Sequence, residues 1–122
     1  MELKIDEMLQ KGIDAHGAGQ ILEAEKLFDQ ILRTQPHHAD ANHKMGILAF
    51  GEDRVEEALA YFKIALIADS DMGEYWLNYI DALLALDKFS DAKLMFDQAK
   101  KKGAEGDAFD LIGRRLSKLT IS

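Results

Sequence analysis

The chain has 122 residues, enough for one domain with a substantial core, and its 48% hydrophobic and 30% charged content is that of a soluble folded protein rather than a disordered one. The absence of cysteine excludes disulfides, zinc–thiolate sites and thiol nucleophiles. A formal charge of −7 disfavours nucleic acid, whose phosphates repel an acidic surface that lacks a segregated basic face.

Apolar residues recur at helical intervals and no stretch alternates for long enough to read as a strand, so an all-α fold is expected. Helices are predicted over residues 3–16, 20–34, 39–50, 54–68, 73–86, 89–102 and 107–119. The opening stretch MELKIDEMLQK interrupts each apolar pair with a charge, and nothing later approaches a membrane span; a cytoplasmic location is the expectation. Gly17 and Gly19 open the first hairpin turn, Gly51 and Asp53 the second, and Asp87 the third, where its carboxylate is expected to cap the following helix. The longer breaks are QPHHAD, ADSDMG and KKGAEGD. Pro36, the only proline, drives the residue before it out of the helical region and ends the second helix.

The chain is self-similar at a spacing of 34 residues. Ala24, Ala58 and Ala92 superimpose, as do Phe28, Phe62 and Phe96, and Ile21, Val55 and Phe89; Gly12 pairs with Gly46. Such a period marks stacked helical hairpins in which neighbours supply the half of the core that one hairpin lacks. The small residues are expected to let two helix backbones approach, and the phenylalanines to project against the next hairpin. The last segment, DAFDLIGRRLSKL, reads as a lid, with Phe109, Leu111, Ile112, Leu116 and Leu119 packed inward and Arg114, Arg115 and Lys118 in water.

These spacings resemble the tetratricopeptide repeat family, whose 34-residue unit has small residues at its eighth and twentieth places, an aromatic at the twenty-fourth and proline at the thirty-second. With Ile5, Ala39 and Gly73 as unit starts, Gly12 and Gly46 fall at the eighth place, and the three alanines and three phenylalanines at theirs. Trp76 takes the fourth place and Pro36 the thirty-second. Ile80, Ser70, Ala104 and Lys11 depart from the pattern, and Ile80 is expected to hold the third pair of helices apart. The resemblance implies a right-handed α-solenoid: repeats over 5–38, 39–72 and 73–106 and a capping helix over 107–119, seven helices in all within one domain spanning 1–122.

It also implies a groove for a peptide or helical segment, lined at the second, fifth, ninth and twelfth places. Those places hold Asp6, Leu9, Ile13 and His16; Asp40, His43, Ile47 and Phe50; Glu74, Leu77, Asp81 and Leu84. An apolar floor of Ile47, Phe50, Leu77 and Leu84 with selectors Asp40, Glu74 and Asp81 suits an amphipathic partner carrying basic residues. The family's chaperone-tail binders need cationic and amide groups where this chain has Leu9, Ile13, Lys44, Glu74 and Asn78, so that ligand is not expected.

Other chemistries find little support. His37, His38, Asp40 and His43 lie close in sequence but match no standard metal spacing, and neither a metal nor a cofactor is expected. Glu56 with Glu57, and Asp69 with Asp71, read as solvated pairs, so catalysis is not expected. Trp76 and Tyr79 read as core. Two further readings remain: the non-catalytic front portion of a larger enzyme, such as a sugar transferase, and weak head-to-tail self-association. The latter follows from charge, since residues 1–87 hold 7 basic and 17 acidic side chains, a balance of −10, while residues 88–122 hold 8 and 5, a balance of +3.

Overall fold

The computed structural model describes residues 4–120, with the side chain of Thr120 left aside. All seven elements in that range are helices: α1 (Ile5–Gly17), α2 (Ile21–Thr34), α3 (Ala39–Gly51), α4 (Val55–Ala68), α5 (Gly73–Ala85), α6 (Phe89–Lys101) and α7 (Asp107–Thr120). The α-solenoid expected from the period is what the chain forms. The starts of α1, α3, α5 and α7 stand 34 residues apart, as do those of α2, α4 and α6. Observed ends lie within a residue or two of those expected; the expected start at residue 3 falls outside the described range.

The turns repeat as faithfully as the helices. Gly19, Asp53 and Asp87 occupy the same position in successive hairpins and all have positive φ, at 78°, 62° and 59°. After each, the next amide folds back onto the helix just ended: Gln20 onto Ala15, Arg54 onto Ala49 and Lys88 onto Leu83. Asp87 therefore serves the left-handed position that closes α5, and not, as expected, as a cap for α6, whose N-terminus has no side-chain cap. Between hairpins, Gln35 is extended before Pro36, and Asp69 takes nearly the same backbone before Ser70. Proline is thus one way to hold this turn and not the only one. A side chain six residues on ties it down in both cases: the Asn42 amide donates to the Pro36 carbonyl at 3.0 Å and the Trp76 indole to that of Ser70 at 2.8 Å.

Three apolar clusters run along the stack, and each crosses a junction. Ala15, Ala24 and Phe28 of the first hairpin close against Met45 and Leu48 of α3. Ala49, Ala58 and Phe62 of the second close against Ala82 of α5. The third joins Ala65 and Leu66 of α4 to α5, α6 and Phe109, Ile112 and Leu116 of α7. No hairpin completes its own interior, as the period required.

Gly12 and Gly46 allow close approach within a hairpin, and what each admits is a ring of the facing helix. A Cβ on Gly12 would lie 2.8 Å from Cδ1 of Phe28, and one on Gly46 2.5 Å from Cδ1 of Phe62. The missing side chain makes room for the phenyl ring of the same hairpin, and that ring also meets the next hairpin, Phe28 at Met45 and Leu48 and Phe62 at Ala82. In the third hairpin Ile80 stands where the glycine would be, and the ring has to go elsewhere. Phe96 lies against Gly113 of α7 and stacks on Phe109 with ring centres 4.3 Å apart. The α5–α6 hairpin is correspondingly less intimate than the other two, and α7 acquires its seat.

Candidate functional site

The positions named from the sequence on the first helix of each hairpin divide by depth. On α1, Asp6 is exposed while Leu9, Ile13 and His16 are half-buried, the two aliphatic side chains resting on the Phe28 cluster. On α3, Asp40 is half-buried with Lys44 Nζ 3.9 Å away, Ile47 is half-buried, and Phe50 remains open, its ring 6.5 Å from that of Phe62. On α5, Glu74 is exposed, and Leu77 and Asp81 are half-buried. His43 and Leu84 go deeper than a lining residue should, at 1% and 6% exposure. Leu84 belongs to the core of the third hairpin, because the helix twist carries its place towards α6 and α7.

His43 acts through a neighbour. Its Nε2 donates to the Asn78 carbonyl oxygen at 2.6 Å, linking α3 to α5, with Glu74 Oε1 3.9 Å away. Asn78, not His43, is the polar group at the surface of the groove. His38 is occupied as well, its Nδ1 accepting from the Ala41 amide at 3.0 Å to cap α3. No group of three or more potential ligands for a metal ion occurs among the described residues.

Ile47, Phe50, Gly51 and Phe62 from the second hairpin and Asn78 and Asp81 from α5 enclose a cavity of about 270 Å³. It is apolar except for the one amide and one carboxylate on the α5 side. Burial pushes the Asp81 carboxyl above the usual aspartate range, and Arg115 offsets this in part. Arg115 comes from α7, its Nη1 3.7 Å from Asp81 Oδ1. Arg115 is exposed, as expected, and makes that pair in addition. In the register of the unit, Leu111, Arg115 and Lys118 take the fifth, ninth and twelfth places counted from Asp107, so α7 continues the row of groove helices. The signal was legible: the period runs on unbroken to Asp107. A separate, open hollow of about 780 Å³ lies between α6 and α7, with Phe96 and Phe109 at its base and Lys100, Arg114 and Lys118 around it.

Behind the groove, Tyr75 packs on His43 with ring centres 4.6 Å apart. Burial, assisted by Asp40, Asp69 and Glu74, raises its phenol from 10 to about 12. The folded state then holds this proton more tightly than the unfolded chain does, so the contribution to stability is whole below pH 10 and drains as pH climbs towards 12. Thermal melts of Tyr75→Phe across that window are expected to lose less stability per pH unit than the parent. Tyr61 and Tyr79, shifted in the same direction by burial, retain the remaining slope.

Two models of the tetratricopeptide repeat family match the chain, over residues 9–71 and 49–114. The chain belongs to the tetratricopeptide repeat family. Among solved structures, this repeat domain superposes on the first such domain of Spaghetti (RPAP3), bound to the HSP90 peptide SRMEEVD, with a TM-score of 0.88 and 16% identity over 98% of this chain and 94% of that one. The TPR2B domain of yeast Sti1, in complex with an Hsp70 peptide, gives 0.84 and 18% over 97% and 99%. At these identities the likeness is one of fold. In sequence, 67 residues are 31% identical to cellulose synthase operon protein C of Komagataeibacter xylinus, a match covering 55% of this chain and 5% of that protein. No helix among the described residues of the repeat domain is long and apolar enough to cross a membrane.

Proposed function

We propose that the repeat domain is a non-catalytic binding module that holds a peptide or helical segment of a partner protein across the faces of α1, α3, α5 and α7. The observation that carries this reading is the cavity roofed by Phe50 and Ile47 and rimmed by Asn78 and Asp81, an apolar recess with few polar groups in the middle of a concave surface. The groove is built from helices whose backs are buried, so little ordering accompanies binding, and apolar anchors supply the affinity while charge selects orientation. The exposed carboxylates of Asp6 and Glu74 line one edge, which favours an amphipathic partner with basic residues.

The fold neighbours named above hold chaperone peptides. A similar ligand fits poorly here, because Leu9 and Ile13 are apolar and Glu74 would repel a terminal carboxylate. Selection from a random displayed-peptide library tests the groove directly. Enriched peptides are expected to combine aliphatic anchors with lysine or arginine and to lose roughly tenfold or more in affinity to a Phe50→Ala, Leu77→Ala double variant, the scale of losing two apolar anchors. Peptides that bind the double variant as well as the parent would place recognition outside the groove. A second reading, that such repeats present substrates as part of a larger enzyme or assembly, draws support from the long bacterial relative, of which these repeats match only 5%.

A further inference from the structure

The groove reading leaves open which chemical group enters the cavity above Phe62, and the lining of that cavity is selective. Ile47, Phe50 and Phe62 offer only carbon to an occupant, while Asp81 supplies a single negative charge at the rim. An occupant matching both is apolar along its stem and cationic at its tip. Arginine fits best, since its guanidinium is weakly hydrated and can lie on an aromatic face as well as meet a carboxylate.

The present partner of Asp81 is provisional in its geometry. At 3.7 Å the contact with Arg115 is an ion pair and not a hydrogen bond, and the two side chains are 54% and 43% exposed. The Asp81 carboxyl, half-buried and pushed upward by burial despite Arg115, lacks the close donors that would satisfy it. Asn78 is complementary: with its carbonyl oxygen engaged by His43, its NH₂ remains for an acceptor such as a peptide carbonyl.

We propose that the cavity between α3 and α5 receives an arginine side chain of the partner peptide, and that Arg115 of α7 is the internal cation this side chain displaces from Asp81. Arg115 is then a specificity-setting residue. A neutral side chain that enters gains at most an uncharged donor's hydrogen bond to the carboxylate, whereas a guanidinium replaces a loose pair with charge-assisted ones. This rests on the groove reading, and the test separates the two.

The probes are acetyl-Leu-Arg-Leu-amide and its isosteric citrulline counterpart, titrated into the isotopically labelled protein and followed by amide shifts. The arginine probe is expected to move Asn78 and Asp81 saturably and to bind roughly tenfold tighter than the citrulline one, the scale of a charge-assisted pair. Asp81→Asn, isosteric and half-exposed, should abolish that preference. Arg115→Gln should strengthen arginine binding severalfold, an opposite sign that no general loss of folding can mimic. Equal binding of both probes with shifts at Ile47, Phe50 and Leu77 would sink the arginine site and leave the groove standing. Shifts confined to other surfaces, or none, would sink both.

Discussion

Phe62→Ala is expected to lower the stability of the domain by about 3–5 kcal/mol, the range for emptying a packed aromatic site. The ring is 2% exposed, lies in the recess left by Gly46, and belongs to the cluster that joins the second hairpin to Ala82 of α5. Losing it opens a void in a cluster that spans the middle and last hairpins, so collapse around the void would have to shift two units at once. Chemical denaturation read by circular dichroism checks this. A denaturation midpoint equal to that of the parent would show that the ring is not part of the core. Phe96→Ala, at the equivalent place in the third hairpin, is expected to cost less because its ring is only half-buried.

Gly46→Ala should destabilise as well, against the usual helix preference. Alanine in place of a helical glycine ordinarily stabilises by up to about 1 kcal/mol. Here the added methyl would meet the Phe62 ring at 2.5 Å, and that ring is buried against Ala49, Ala58 and Ala82 and already forms part of the cavity wall. Overpacking of this kind costs about 1–3 kcal/mol, so steric strain wins. The same substitution at Gly113 meets Phe96 at 2.7 Å, but that ring has an open side and can yield. A double variant, Gly46→Ala with Phe62→Leu, should therefore lose less than the two single losses added together, since the smaller side chain vacates the space the methyl needs. Additive losses would mean that the clash is not what penalises the alanine.

Much of this architecture could be read from the residues because the unit is short and recurs. Three alanines, three phenylalanines and two glycines in register identify the hairpins and their junctions. What the period could not reveal was that a single ring serves both sides, filling the space beside the glycine of its own hairpin while meeting the next one. Asp87 misled because an aspartate before a helix suits either a cap or a left-handed turn. Of the positions counted by places, Ile47, Phe50 and Asp81 line the cavity, but counting could not tell that Leu84 turns into the core or that His43 is covered. Those outcomes depend on how each helix packs against its neighbours, and the third unit differs in placing Tyr75, Ile80 and Leu84 in one cluster with α7.

The three clusters that straddle the junctions bear on where recognition sits. Loosening in such a stack starts at an end and travels inward, because an end hairpin is gripped from one side and the middle one from both. The α3–α4 hairpin is therefore the last to come apart during transient opening, and it carries the roof of the cavity. The recess proposed to receive a partner is thereby mounted on the least yielding part of the chain.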